Sequence, residues 1–377
     1  MVNMSVALRR PADSESFPHE AGGVAAGRRH GRGAQTNRGG RFEPIAYEPV
    51  DDGWDSLGEL EALATDVQEV PARRIITRNE SPDIGFDRSI NPYRGCEHGC
   101  IYCFARPTHA FLGLSPGLDF ETKLFAKTNA GQALERELAE PDYKVRTIAI
   151  GTNTDPYQPI ERRYRIMRRI LEVLSAANHP VGIVTKSALV LRDLDLLKSM
   201  AERGLVKVAL SVTTLDRKLA RVMEPRASTP DKRLETVRRL VDAGVPTFVM
   251  VAPVVPGLTD MEMERILERA AAAGVRQAGY VLLRLPLEIG DLFTEWLHAN
   301  CPDRAKRVLS LMRSTRGGKL YEAKWGERMT GDGPYAWMIG RRFELAAERL
   351  GLNASSVELR TDLFTPPSLP GQQLKLL

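Results

Sequence analysis

The chain is predicted to be an α/β protein. Its centre would be a sheet of six parallel strands with intervening helices, preceded by an extension too polar to fold by itself and followed by a mainly helical one. Three observations predict this. After Pro71, short apolar runs alternate with helical segments; the segments between the runs carry start and stop residues; and one loop, placed directly after the first run, holds three of the chain's four cysteines. With 377 residues, 43% of them hydrophobic, there is enough material for a sizeable core.

Residues 1–70 show no sustained hydrophobic period. The Arg/Gly tracts Gly27-Arg28-Arg29-His30-Gly31-Arg32-Gly33 and Arg38-Gly39-Gly40-Arg41 cannot bury a core, so this extension is expected to be disordered. Arg/Gly tracts suit single-stranded nucleic acid, where guanidinium groups bind phosphate and stack on bases; a solvated tail is the plainer reading. The acidic stretch from Glu43 to Glu69 has Leu57, Leu60, Leu63 and Val67 at helical spacing, which predicts one short amphipathic helix. Residues 1–42 carry +4, residues 43–70 carry −9 and the whole chain +5, so the remainder carries +10.

The predicted strands are Ile90–Tyr93, Val145–Ile150, Val181–Thr185, Val206–Val212, Thr247–Ala252 and Tyr280–Leu285. Their near-continuous hydrophobicity suits parallel strands buried on both faces. Between them, a helix is expected from about Asp193 to Gly204. Thr229-Pro230 reads as an N-cap and first-turn proline of a helix ending at Gly244, and Thr259-Asp260-Met261-Glu262 as a capping box closed by Gly274. Repeated strand–helix units imply right-handed crossovers, in a sheet either curved into a barrel or left open. From about Pro286 to Leu377, helical patterns at Asp303–Arg313 and Trp337–Leu350 are divided by Gly-rich turns.

The cysteine loop, Arg94-Gly95-Cys96-Glu97-His98-Gly99-Cys100-Ile101-Tyr102-Cys103-Phe104-Ala105, has the spacing C-x3-C-x2-C. Soft thiolates favour iron–sulfur clusters, zinc or copper(I), and a four-iron cluster held by three cysteines keeps one iron without a protein ligand. The alternative is a structural metal knot with Cys301, His98 or His109 as fourth ligand, although the paired C-x2-C knuckles usual for zinc are absent. Cys301 cannot assemble a second cluster alone, and it is expected to be an incidental buried thiol.

This spacing, with Tyr102 just before the last cysteine, resembles the cluster loop of radical S-adenosylmethionine (radical SAM) enzymes. The resemblance implies a partial (β/α)6 barrel over 71–285, with a disordered Arg/Gly-rich then acidic extension at 1–70 and a C-terminal extension, 286–377, capping the open side. It implies a [4Fe-4S] cluster on Cys96, Cys100 and Cys103, and S-adenosylmethionine cleaved reductively to a 5'-deoxyadenosyl radical. It also implies an electron donor such as flavodoxin or ferredoxin.

Ligands of parallel α/β folds bind at the carboxyl ends of strands. Asn153, Thr154 and Asp155 at the second strand end, Lys186 at the third and Ser211 on the fourth resemble the cofactor-binding set of spore photoproduct lyase-like radical SAM proteins, and the superfamily resemblance implies further cofactor contacts at Tyr102 and at Ala252 on the fifth strand. Arg226, in Met223-Glu224-Pro225-Arg226, is a further candidate contact in a loop that otherwise reads as solvated. Spore photoproduct lyase uses a cysteine as hydrogen donor in repairing a thymine dimer, and the second strand end here has none. The substrate is therefore open, with single-stranded nucleic acid a candidate partner.

The competing class is a non-catalytic, metal-stabilised nucleic-acid-binding protein. No apolar run reaches the roughly 18 residues that span a bilayer, and Met1–Arg10 lacks the apolar centre of a signal peptide. A cytoplasmic protein without a membrane partner is the expectation.

Overall fold

The structure, a computed structural model, describes residues 4–8, 31–42, 45–49 and 64–368. Its strands in chain order are β1 (Met4–Leu8), β2 (Ile45–Pro49), β3 (Asp66–Glu69), β4 (Ile76–Arg78), β5 (Arg88–Ile90), β6 (Tyr93–Arg94), β7 (Lys123–Ala126), β8 (Ile148–Ile150), β9 (Val181–Thr185), β10 (Val206–Ser211), β11 (Thr247–Val254) and β12 (Gln277–Leu282). The helices are α1 (Asp119–Thr122), α2 (Ala130–Leu138), α3 (Glu161–Tyr164), α4 (Ile166–Ala176), α5 (Leu194–Glu202), α6 (Arg217–Met223), α7 (Pro230–Asp242), α8 (Met263–Ala272), α9 (Ile289–Asn300), α10 (Pro302–Ser314) and α11 (Gly333–Arg349).

Six strands, β5-β8-β9-β10-β11-β12, pair side by side in parallel, and β4 closes one edge antiparallel to β5. Because the order is sequential, every crossover moves in the same direction. Right-handed crossovers then place all the helices on one face. A sheet covered on one face buries the other by curling, which gives a barrel; β4 and β12 do not pair, so the barrel is partial.

The residues obey this geometry. Along β9 and β10, buried side chains alternate with half-buried ones, and the buried set (Val181, Ile183, Val206, Val208) joins Ile170, Leu174, Leu197, Met200, Leu234 and Val237 of the helices in one apolar core. The strands are thus sealed on the helix side and face the barrel interior on the other, rather than being buried equally on both. The first predicted strand is divided. Arg88–Ile90 belongs to the barrel, whereas Tyr93–Arg94 turns away to pair with β7 in a small separate sheet, order β3-β7-β6.

Three expectations need correction. Val67 lies in β3, paired parallel with β7, and not in a helix; Leu57, Leu60 and Leu63 fall outside the described residues. The extension is also not wholly without structure. Residues 31–42 pack on the cysteine loop, β1 pairs antiparallel with β2, and Gly27–His30 fall outside the described residues. Thr229 stands at the N-cap of α7 with Pro230 following, as expected, but its side chain makes no cap bond. The Thr259 hydroxyl accepts instead from the Val255 N–H, and Glu262 accepts from Thr214 and from the Leu215 N–H, so no capping box forms. A helix absent from the sequence reading, α9, precedes α10 and carries Phe293 and Trp296 into a second apolar cluster with Ile101 and Tyr102. Among the described residues, no helix is long and apolar enough to cross a membrane.

Candidate active site at the cysteine loop

The loop after β6 is held by backbone bonds from three directions. The Cys96 N–H donates to the Phe120 carbonyl at 2.9 Å, Ile101 N–H to Met223 at 3.0 Å, and Arg226 N–H to His98 at 3.3 Å. Below it Arg106, fully buried, donates to the carbonyls of Cys100 (3.0 Å), Gly99 (3.2 Å) and Gly117 (2.8 Å), and pairs with Glu121. Gly99 has φ of 65°, and a Cβ there would stand 2.7 Å from a Glu121 oxygen, so both backbone conformation and space demand glycine.

Burial pushes all three thiols up, Cys100 to about 12, so metal binding has to displace their protons. Among the described residues no three His, Cys, Asp or Glu groups converge on one ion. Three soft thiols on one loop, without the paired C-x2-C knuckles usual for zinc, suit an iron–sulfur cluster. His109 Nε2 lies 2.9 Å from the Lys123 carbonyl, and His98 Nδ1 lies 3.3 Å from Asp155 Oδ2, within reach of charge attraction but off-line for a hydrogen bond. Cys301 sits half-buried at the junction of α9 and α10, with Arg304 and Asp216 as its charged neighbours.

The strand ends meet this loop unevenly. Lys186, half-buried just past β9, places its ammonium 5.8 Å from the centre of the Tyr102 ring and close enough to Cys100 and Cys103 to favour their thiolates. Tyr102 donates its hydroxyl to Glu224, which also pairs with Arg233 and lies 2.7 Å from the Thr213 hydroxyl; that hydroxyl is 3.0 Å from the Ala252 carbonyl. Burial alone would raise the Glu224 carboxyl, but Arg233, Lys186 and Tyr102 bring it down to about 2. Ser211 is buried, and its carbonyl accepts from Arg233 at 3.0 Å.

At the end of β8 polar groups bond to neighbouring segments. The Thr154 hydroxyl donates to the Tyr93 carbonyl (3.0 Å), and the Asn153 N–H to Asn91 Oδ1 (3.2 Å). Asp155 accepts from the Thr185 hydroxyl and the Lys186 N–H, both at 2.7 Å. Burial would raise its carboxyl too, yet His98, Lys186 and Thr185 hold it at about 2. Arg226 pairs with Glu97 at 2.7 Å.

The Met223–Arg226 loop is therefore not solvated as expected. Glu224 is 3% exposed, at the centre of a network the sequence reading missed. One signal could have found it: Arg233 lies on the face of α7 shared with Leu234, Val237 and Leu240, and an arginine on an apolar helix face implies a buried acid. The arginines around 162–169 are in part engaged as well, Arg168 with Asp195 and Glu172. A small cavity of about 140 Å³ beside the loop is lined by His98, Tyr157, Arg162, Ser187, Arg226 and Ser228. A wider cleft of about 560 Å³, lined by Asn79, Phe86, Asp87, Arg146 and Thr147, lies at the amino ends of β5 and β8, away from the cysteines.

Residues 90–270 match the Radical SAM superfamily, a stretch that begins at the end of β5 and includes the cysteine loop. The chain belongs to the radical SAM superfamily. An uncharacterised protein of Mycobacterium tuberculosis is 41% identical over 230 residues, which cover 60% of this chain and 68% of that one. The radical SAM Nalpha-GlyT isomerase of Pseudomonas phage M6 is 25% identical over 314 residues, 73% of this chain and 62% of that one. Among solved structures, spore photoproduct lyase complexed with dinucleoside spore photoproduct aligns with a TM-score of 0.52 at 17% identity, over 75% of this chain and 78% of the lyase; at that identity the likeness establishes the fold. As a radical SAM enzyme the protein uses a [4Fe-4S] cluster, S-adenosylmethionine and a reductant. The donor set fits such a cluster: three soft thiols on one loop, with a lysine facing them.

Proposed function

We propose that Cys96, Cys100 and Cys103 hold the [4Fe-4S] cluster and that the substrate is a base in single-stranded nucleic acid. The observation that carries the first part is the thiol triplet on a loop whose backbone is bonded to Phe120, Met223 and Arg106, with the Lys186 ammonium beside it. When bound, the cluster and S-adenosylmethionine supply a 5'-deoxyadenosyl radical that abstracts hydrogen from the substrate.

The chain's own groups hold and orient. Lys186 pairs with the methionine carboxylate, a charge-assisted contact that fixes the cofactor's direction. Tyr102, pinned by Glu224 and Thr213, forms the wall against which Lys186 rests. Asn153, Ser211 and Ala252 line the remaining strand ends. Thr154 and Asp155 act one layer back, tying β6 and the Thr185–Lys186 turn into place. The apolar cluster containing Ile101, Tyr102, Phe293 and Trp296 keeps water from one side of the loop.

The substrate reading rests on the barrel mouth. Phe104, next to Cys103, is 45% exposed, and the Arg284 guanidinium, just past β12, lies 4.9 Å from its ring centre. An exposed ring with an arginine over it makes a stacking platform for a planar base, and the +10 balance beyond residue 70 favours phosphate. The name of one similar protein agrees with it: the spore photoproduct lyase was solved with a dinucleoside spore photoproduct. Of the described tail arginines, Arg32 donates to the Glu121 carbonyl and Arg41 pairs with Glu288, while Arg38 stands exposed, so the platform carries this reading. A flavodoxin- or ferredoxin-type donor supplies the electron.

Anaerobic reconstitution tests the first part: the protein should take up four irons and convert S-adenosylmethionine to 5'-deoxyadenosine on reduction, and Cys100→Ala should abolish this. Full cleavage by Cys100→Ala would sink the assignment. Titrating labelled single-stranded DNA and RNA at several salt concentrations tests the second. Binding should weaken with salt and with Phe104→Ala; no binding at low salt would turn the search to proteins and small molecules.

A further inference from the structure

We infer that residues 32–41, the second half of the Arg/Gly tract, form a positioning strap that holds the cysteine loop closed and thereby sets the retention and electronic environment of the cluster. The inference rests on the cluster assignment proposed above and goes beyond it to a segment outside the barrel.

The strap crosses the loop at close range. Gly33 passes so near that a Cβ would stand 1.8 Å from the Gly99 carbonyl oxygen and 3.3 Å from the Ile101 nitrogen. No side chain fits between strap and loop. The N–H groups of Gly33 and Ala34 donate to the two oxygens of Glu121 at 2.9 and 2.8 Å, and Arg106 reaches the same carboxylate while holding the carbonyls of Gly99 and Cys100. One buried carboxylate therefore joins strap to loop. Ala34, 1% exposed, completes the apolar cluster that contains Cys100, Ile101 and Tyr102.

Both ends of the strap are anchored. Arg32 donates to the Glu121 carbonyl at 2.8 Å and to Thr65 at 3.1 Å, and Thr65 in turn donates to Glu97 at 2.7 Å, inside the loop. Further on, Asn37 and Asp119 exchange two bonds (3.0 and 2.9 Å), Thr36 donates to Glu295 at 2.9 Å, and Arg41 pairs with Glu288 at 2.8 Å. The physical consequence is local. Without the strap, Glu121 keeps Arg106 but loses both amide donors, and water reaches Gly99 and Ile101. Solvent exposure and hydrogen bonding around cysteine sulfurs set both the reduction potential of an iron–sulfur cluster and its hold on iron.

The test compares the full-length protein with Gly33→Ala. Cluster-loaded Gly33→Ala should release iron to a chelator about tenfold faster than wild type, with an altered electron paramagnetic resonance spectrum of the reduced cluster and little change in the thermal midpoint. Equal release rates with an identical spectrum would overturn the inference, as would a fall in thermal midpoint that alone accounts for faster release. Hydrogen exchange in the cluster-free protein gives a readout independent of loading. Amides in 99–106 should exchange faster in Gly33→Ala, and unchanged exchange there would overturn the strap even if the wild type assembled no cluster. Should Gly33→Ala be insoluble, Asn37→Ala, which removes only the exchange with Asp119, decides by the same readouts and in the same directions.

Discussion

Two buried carboxylates flank the cysteine loop, and they hold it in different ways. Glu224 and Glu121 are each within a few per cent of full burial, and each pairs with a buried arginine, Arg233 or Arg106. The donors to Glu224 are side chains of the barrel: Tyr102 on the loop, Thr213 past β10 and Arg233 on α7. The donors to Glu121 include the backbone amides of a strap that arrives from outside the barrel. A carboxylate satisfied by the body that folds around it shares the global stability. One satisfied by a single passing segment shares only that segment's local stability.

The largest effect that probes this difference is expected from Arg233→Met. Removing one partner of a buried pair leaves an uncompensated charge, a loss of about 3–5 kcal/mol. Urea unfolding should show it as a lower midpoint of the main transition, and a loss below about 1 kcal/mol would mean that Glu224 finds water and is not sealed in the barrel. Glu121→Gln also removes the charge partner of a buried arginine, but Arg106 keeps the carbonyls of Gly99, Cys100, Pro116 and Gly117, so the global cost should be less, about 2–3 kcal/mol. Its stronger signature should be faster hydrogen exchange in 96–106. Equal shifts of the global midpoint in the two variants, with no local difference, would break the comparison.

How far each region could be read from the sequence follows the same division. The barrel announces itself because its signals are local: six apolar runs, Pro230 at the start of α7, glycines at helix ends and the cysteine spacing are each visible within a dozen residues. The strap leaves no such trace. Gly33 and Ala34 bond through backbone amides to a carboxylate 88 and 87 positions away, and an Arg/Gly tract that cannot fold alone reads as unstructured until the surface it lies on is known. The same limit hid Glu224, whose loop composition looks solvated, and moved Val67 from an expected helix into a strand that needs β7 as partner. At the strand ends the residue types were legible but not their partners within the fold: Asp155 accepts from Thr185 and Lys186, 30 and 31 positions away.

Acid titration sharpens the barrel side of the comparison with a smaller effect. The Glu224 carboxyl sits at about 2 in the folded protein against 4.5 as its ordinary value. A folded value below the unfolded one means stabilisation that is complete above pH 4.5 and lost as pH falls through about 2. The stability gap between wild type and Glu224→Gln should therefore be constant above pH 5 or so and narrow on acidification. Chemical denaturation at stepped pH measures it, and a gap that is flat down to the acid limit, or that widens, contradicts the charged network.

The smallest effect is expected at the fourth cysteine, which belongs to neither carboxylate network. Cys301 joins α9 to α10: its N–H donates to the Leu297 carbonyl at 2.8 Å, its carbonyl accepts from Arg304 at 3.0 Å, and both bonds are backbone bonds that survive any side-chain change. Its thiol is half-buried against the apolar cluster, where burial pushes it up and keeps it protonated. Serine preserves the shape and exchanges a sulfur contact for a hydroxyl, so Cys301→Ser should cost about 0.5–1 kcal/mol and leave iron content and S-adenosylmethionine cleavage unchanged. Iron analysis of Cys301→Ser beside Cys96→Ser decides between an incidental thiol and a ligand: an equal loss in both would place Cys301 on the cluster and remove the open iron on which the proposed chemistry depends.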